Sequence, residues 1–151
     1  MDPVFCAHAG WTPQATIAAG RERWRALIES PDPALLRLLA VRANAAPVGY
    51  ADLHGDSPGE KELGYVVGPS RHWGQGIGTS IARTAVDHAF IRLGMQRLWA
   101  EALEANVASV RVLRRVGMRH TGYGDDAEFL GEPTRYIQFE LTREDWLAER
   151  I

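Results

Sequence analysis

Three glycines at alternate positions, Gly74, Gly76 and Gly78, close the segment Arg71-His72-Trp73-Gly74-Gln75-Gly76-Ile77-Gly78 and stand directly before the most regular apolar run in the chain. That run, from Thr79 to Leu93, carries Ile81, Ala82, Ala85, Val86, Ala89, Phe90 and Leu93 at three- and four-residue spacing, with Gly94 placed to end it. It predicts an amphipathic helix. On the other side of the loop, Glu62-Leu63-Gly64-Tyr65-Val66-Val67 has the β-branched and aromatic content of a strand. Glycines let backbone N–H groups turn toward a ligand without a Cβ in the way, and the first turn of a helix adds unpaired donors and the positive end of a dipole. A loop so placed suits phosphate or pyrophosphate, a plain strand-to-helix connection being the other reading. Two familiar phosphate loops fit badly. A dinucleotide fingerprint counted from Gly74 needs glycine or alanine at Thr79, and a P-loop needs Lys and then Ser or Thr after its last glycine.

Elements on both sides of the loop can be read from caps and periods. Thr12-Pro13 reads as a helix cap and first helical position, with the helix running to Ser30 and carrying Ile17, Trp24, Leu27 and Ile28; Ser30-Pro31-Asp32-Pro33 stops it. Leu35–Val41 and Val48–Leu53 flank the turn-like Asn44–Pro47 and predict a β-hairpin, and a polar loop from Gly55 to Lys61 leads to the next strand. Downstream, Leu98–Leu103 predicts a strand, and Asn106 caps a helix with Val107, Val110, Leu113 and Val116 before Gly117. Tyr136–Leu141 alternates, with Ile137, Phe139 and Leu141 on one face, and Thr142 with Asp145 resembles a capping box for a short terminal helix. There is no repeat or second linker, and 151 residues suit one domain spanning 1–151.

Charge and cysteine usage narrow the function classes. Seventeen basic and nineteen acidic residues give a net charge of -2, so nucleic acid is not the expected partner. The single cysteine, Cys6, cannot form an internal disulfide, which suits a reducing cytoplasm. No membrane span or signal peptide is visible. His54, His72, His88 and His120 show no metal-ligand or triad spacing, and no metal is expected.

The pattern Arg71-x-x-Gly74-x-Gly76-x-Gly78 after a strand, followed by Asn106-x-x-Ser109-x-x-Val112-Leu113-x-x-x-Gly117-Met118, resembles the GNAT N-acetyltransferases, and more closely their RimJ/RimL-like branch. Glu62-Leu63-Gly64-Tyr65, Ala89-Phe90, Ala105-Asn106, Leu141-Thr142-Arg143 and Asp145-Trp146 add to the resemblance, which covers most of the chain from Pro47 onward. It implies an α+β fold: a mixed, mostly antiparallel central sheet flanked by helices. It also implies an acetyl-CoA-dependent transfer to a primary amine, of a protein N-terminus or a small molecule, by direct attack on the thioester. The strand matching Glu62–Val67 is then expected to splay from its neighbour, with backbone at Val66 and Val67 left to pair with pantetheine and hold the thioester carbonyl. Gly74, Gly76, Ile77, Gly78 and Thr79 take the pyrophosphate, with Arg71 or Gln75 as supplements. Asn106 and Ser109, three apart on one helix face, line the reactive end.

The resemblance leaves proton handling open. Glu62 is the candidate base, acting through water, against the plain reading of a solvated carboxylate at a strand edge. Many family members have a tyrosine seven residues after the asparagine to protonate the thiolate; Leu113 stands there, with either Ser109 as a substitute or no dedicated acid, a CoA thiol being acidic enough to leave without one. Glu101 is a second carboxylate able to approach the acceptor. Asp52, Asp56 and Glu60 form an acidic stretch suited to a cation or simply to solvent. About ten residues precede the part matching Trp11–Ser30, so the family's first strand looks missing or replaced, and a homodimer is one way to cover the sheet edge. Two other functions compete: acetylation of an aminoglycoside or another amine toxin, and a non-catalytic CoA-binding regulatory module.

Overall fold

The computed structural model describes residues 2–12, 16–29, 32–41, 44 and 46–150. The sequence signals at Pro13, Ser30 and Pro31, and the side chains of Trp24, Leu27 and Ile28, lie outside the described residues. In chain order the elements are α1 (Pro3–Ala9), α2 (Ile17–Glu29), β1 (Leu35–Val41), β2 (Pro47–His54), β3 (Glu60–Val67), α3 (Ile77–Ile91), β4 (Arg97–Leu103), α4 (Val107–Arg115), β5 (Arg119–Phe129), β6 (Glu132–Thr142) and α5 (Arg143–Ala148). A short 3-10 turn at Ser70–His72 precedes α3. The strands form a six-stranded sheet in the order β1-β2-β3-β4-β6-β5. Every neighbouring pair is antiparallel except β3 and β4.

Apolar periodicity decides which face of each element is buried. On β4 the alternate residues Leu98, Ala100 and Ala102 are buried, and on β6 Ile137, Phe139 and Leu141 are, as the two-residue period of a strand requires. They meet Ile81, Ala82, Ala85, Val86, Ala89 and Phe90 of α3 together with Val110 and Leu113 of α4 in one buried cluster. Helices α3 and α4 therefore cover one face of the sheet.

Several boundaries differ from the sequence reading. Helix α2 starts at Ile17 because the Thr16 hydroxyl accepts from Ala19 N at 3.1 Å; Thr12 lies outside it. Helix α3 starts at Ile77, two residues early, with Gly76 (φ 79°) as its cap, so Gly78 and Thr79 belong to its first turn. Helix α1 and strand β5 were not predicted. At seven residues α1 shows no periodicity, yet it is bounded by Asp2, whose carboxylate accepts from Phe5 N, and by Gly10 at φ 64°. Strand β5 is almost wholly unburied and is held by its ladder to β6, which begins at Glu132, four residues before the predicted Tyr136. The terminal cap forms: Thr142 Oγ1 accepts from Asp145 N at 3.1 Å and donates to the Asp145 carboxylate at 2.6 Å.

The pairing of β3 determines where a ligand fits. On one side β3 pairs with β2 from His54↔Glu62 through Gly49↔Val67. On the other it meets β4 only at Glu60↔Arg97, Lys61↔Leu98 and Glu62↔Trp99. Strand β4 stays paired to β6 along its full length, Arg97↔Thr142 through Leu103↔Tyr136. The two strands thus part after Glu62 and Trp99, leaving a wedge at their C-terminal ends.

Candidate active site

A cleft of about 590 Å³ occupies the mouth of that wedge. Its floor is Tyr65, Val66 and Val67 of β3; one wall is Gly74, Gly76, Ile77, Gly78 and Thr79, and the facing wall is Asn106, Ser109, Arg111, Val112 and Arg115 at and along α4. Phe5, His8 and Ala9 of α1 and Phe129 of β5 border it as well. A second hollow of about 380 Å³, lined by Ser80, Arg83, Thr84 and Asp87, shares Gly76, Thr79 and Arg115 with the cleft.

Two left-handed glycines lead the loop into an uncapped helix start. Gly74 (φ 73°) and Gly76 (φ 79°) are left-handed, and a Cβ at either meets nothing within 4 Å, so glycine is required there by backbone conformation rather than by space. No side chain caps the N-terminus of the 15-residue α3. The N–H groups of its first turn have no partner within the helix, and they stand at the positive end of its dipole. Gly78 is different: it has an ordinary helical backbone, and a Cβ there would make van der Waals contact with Val67 at 3.4 Å and Val112 at 3.5 Å, where α3 packs against β3 and α4. Arg111 and Arg115 in the cleft and Arg83 in the hollow add cationic donors suited to phosphate.

Expected site residues divide into those on the cleft and those off it. Val66, Val67, Gly74, Gly76, Ile77, Gly78, Thr79, Asn106 and Ser109 all line it. Arg71 and Gln75 do not; the Gln75 amide donates to the Arg71 carbonyl at 2.9 Å, bracing the loop. The Val67 carbonyl is not left open, because the Trp73 indole donates to it at 2.7 Å. Asn106 is a true cap, its Oδ1 accepting from Ser109 N at 3.2 Å. Glu62 sits where β3 and β4 begin to part, off the cleft lining, opposite His54, whose Nδ1 is 4.0 Å from its carboxylate. Burial pushes the Glu62 carboxyl above the usual carboxylate range, His54 pulls it back and Glu101 pushes it further up.

The acidic stretch loses most of its free charge. Asp52 forms a two-pronged ion pair with Arg37 at 2.7 Å, and Glu60 is paired with Arg97, leaving Glu62 and Glu101 as the coupled carboxylates of this region. Glu101 accepts from the Gln138 amide at 2.8 Å.

Sequence reasoning missed Tyr65, Trp73 and all of α1. Nothing in the sequence around Tyr65 signals its role; its hydroxyl reaches Ser109 Oγ at 2.8 Å and the Ser109 carbonyl at 3.1 Å. Helix α1 is fastened over the cleft by Asp2, which accepts from Ser70 N at 2.6 Å, while the His8 ring meets Trp73 and Phe129 edge-on at 4.9 and 5.4 Å. Bonds to Phe5 and Ser70 hold the Asp2 carboxyl down at about 2. The readable signal was Asp2-Pro3 with Gly10, a cap, a first-position proline and a closing glycine.

Among the described residues no cluster of three His, Cys, Asp or Glu side chains is placed to hold a metal, and no helix is long and apolar enough to cross a membrane.

Comparison with known proteins gives the family and the fold. The family described as Acetyltransferase (GNAT) domain matches residues 2–119. FsC-acetyl coenzyme A-N(2)-transacetylase of Aspergillus fumigatus is 34% identical over 89 residues, which are 57% of this chain and 37% of that protein, so the chain spans little more than a third of that relative's length. A spermidine N-acetyltransferase from Vibrio cholerae, solved with CoA and spermine, superposes with a TM-score of 0.76 over 95% of this chain and 85% of its own, at 16% identity. A GNAT-family acetyltransferase from Bacillus anthracis gives 0.63 over 72% and 66% at 21% identity. These likenesses establish the fold, and the family match supplies the lineage: the chain belongs to the GNAT acetyltransferases, whose co-substrate is acetyl-CoA.

Proposed function

We propose that this chain acetylates a primary amine by direct attack of the neutral amine on acetyl-CoA. The observation that carries the reading is the wedge between β3 and β4, opening beside an uncapped helix N-terminus and three arginines. The loop from Gly74 to Thr79 holds the pyrophosphate through backbone N–H groups, and β3 at Val66 and Val67 lies along the pantetheine arm and the thioester.

Acceptor chemistry follows from the cost of neutralising the amine. A lysine-like amine of pKa ~10.4 costs about 4 to 5 kcal/mol to deprotonate at pH 7, whereas an α-amine near 8 costs roughly 1 to 1.5 kcal/mol. Glu62 is the base, through water, its raised carboxyl being better matched to a working pH near neutral than an ordinary one. Glu62 and Glu101, which among the described residues face no arginine or lysine as Asp52 and Glu60 do, favour an acceptor that arrives as a cation. Relatives named for acting on spermidine or on an N(2) amine fit that class, and a protein N-terminus is the other acceptor. The RimJ/RimL-like placement rests on Asn106 and Ser109 with Leu113 at the usual tyrosine position. A homodimer built on the β1 edge belongs with the same reading, and light scattering at micromolar concentration tests it.

Thermal shift with acetyl-CoA, CoA, ATP and NAD is the first test. A ligand at 100 times its Kd stabilises by about 2.7 kcal/mol, or several degrees in a chain of this size. A shift with the two CoA ligands alone supports the reading; none with either at millimolar concentration overturns it. Thiol release is then measured with a polyamine, an N-terminal peptide and an aminoglycoside. CoA binding with no release from any acceptor favours the non-catalytic module, and release with the aminoglycoside alone favours the resistance enzyme.

A further inference from the structure

We propose that Tyr65 is a positioning residue that turns the Ser109 hydroxyl into a switchable hydrogen-bond donor to the departing CoA sulfur. The inference rests on the acetyl-transfer reading above and deepens its leaving-group step.

The geometry allows two arrangements of the same atoms. Tyr65 Oη lies 2.8 Å from Ser109 Oγ and 3.1 Å from the Ser109 carbonyl oxygen, yet it carries one hydrogen. In the first arrangement Tyr65 donates to the carbonyl, which can only accept, and Ser109 donates to Tyr65 Oη. Both hydroxyls are then satisfied and nothing is offered to the cleft. In the second, Tyr65 donates to Ser109 Oγ, and the Ser109 hydrogen is released toward the cleft that both side chains line. The exchange needs only the rotation of two hydroxyl hydrogens.

Charge at the sulfur selects between them. A thioester sulfur is a weak acceptor, so the first arrangement suits the ground state. As the amine nitrogen bonds to the carbonyl carbon and the C–S bond breaks, the electron pair of that bond leaves on sulfur, and a thiolate draws a hydrogen bond strongly. The second arrangement then becomes the better one, so the donor strengthens as the reaction advances, which is the condition for accelerating it. Asn106 fixes Ser109 from the other side through its backbone N–H, and the site lies in the first turn of α4, at the positive end of that helix.

The pair stabilises the thiolate without ionising. Burial pushes the Tyr65 hydroxyl up to about 12, above the range of an alkyl thiol, so a full proton transfer to sulfur runs uphill. In this arrangement Ser109 donates a hydrogen bond and keeps its proton, and the thiolate takes its proton from water after release. The amine's own proton leaves separately, by way of Glu62. Atoms and charge balance with no further reactant.

Ionisation of bound CoA tests this directly, because the thiolate has its own ultraviolet absorbance and no acceptor is needed. Wild-type protein is expected to lower the thiol pKa of bound CoA by about one unit from the value measured for free CoA in the same buffer. Ser109→Ala should abolish the shift and Tyr65→Phe, which keeps the ring, should remove much of it. In turnover, Ser109→Ala lowers kcat by about 10- to 100-fold, Tyr65→Phe by up to 10-fold, and the double variant is no slower than Ser109→Ala alone. KM for acetyl-CoA stays within about twofold of wild type, as expected for a donor made only late in the reaction. An unshifted bound thiol in wild type, or single effects that multiply in the double variant, overturns the proposal while leaving acetyl transfer intact. Failure of wild type to bind CoA at all overturns the acetyl-transfer reading itself.

Discussion

Replacing Glu62 by glutamine is expected to lower kcat/KM for a lysine-like amine by about 100-fold, within the range contributed by a positioned general base, while acetyl-CoA binding stays near wild type. The carboxyl lies outside the cofactor cleft, where β3 and β4 separate, so its loss touches the acceptor's proton and not the pyrophosphate cradle. Its pH behaviour has a definite sign. The folded carboxyl is raised by burial, and only the ionised form accepts a proton, so kcat/KM climbs with pH through that raised value; the glutamine variant lacks this limb. Stability moves the other way. A carboxyl whose folded pKa is raised costs stability as pH rises from its unfolded value through its folded one, so Glu62→Gln should be no less stable than wild type at neutral pH. An α-amine acceptor should lose less than a lysine-like one, being already partly neutral. A wild-type pH profile retained by the glutamine variant would mean that another group takes the proton.

Alanine at Gly49 should cost about 3 kcal/mol of stability and lower the melting temperature by roughly 10 °C, with acetyl-CoA affinity falling in parallel. Gly49 lies on β2 opposite Val67, and a Cβ there would stand 2.1 Å from the Val66 carbonyl oxygen and 3.0 Å from Ile81 Cδ1. A backbone oxygen has no rotamer through which to escape, so β2 or β3 must shift, and β3 at Val66 is the floor of the cleft. Gly74→Ala is the contrast: its Cβ meets nothing, and the left-handed φ of 73° alone costs about 1 to 2 kcal/mol, acting on the loop. A Gly49→Ala protein with wild-type melting and wild-type CoA affinity would show that the strand contact is softer than its geometry.

Legibility in the sequence followed the length and regularity of each element. Helices α3 and α4 were readable because Ile81 through Phe90 and Val110 with Leu113 repeat over several turns and bury one face, as the core confirms. Strand β5 was not, since a strand at the sheet edge with one ladder need not alternate: Gly122, Gly124, Asp125 and Asp126 carry no period, β6 places Gly122 and Asp126 opposite Gln138 and Arg135, and Gly124 and Asp125 fall in the register shift between Tyr123 and Asp126. The glycine loop was legible as the connection from β3 into α3, but the start of α3 was displaced because Gly76 caps by adopting a left-handed backbone, with no side-chain oxygen to signal it. Ser109 could be named from its spacing to Asn106. Tyr65, 44 residues earlier in the chain, could not be matched to it, because that contact exists only once β3 and α4 face each other across the wedge. Glu62 and Asp52 looked alike in sequence, and only the fold shows that Arg37 neutralises one of them.

The three-residue seam between β3 and β4 divides the sheet into two leaves, β1-β2-β3 and β4-β6-β5, like a book bound along a fraction of its spine. Within each leaf the ladders are long, so each resists opening on its own; between them, cohesion at the open end falls to α3, α4 and whatever lies in the gap. In the binding mode proposed above, a pantetheine arm seated there would serve as a surrogate strand, and the slow hydrogen exchange that backbone pairing normally confers would reach the inner edges of the leaves only when it is present. Cohesion of the domain and occupancy of the co-substrate would then be one quantity seen from two sides. A substitution that weakens the seam far from any ligand contact is expected to lower affinity, and saturation with ligand to mask the damage.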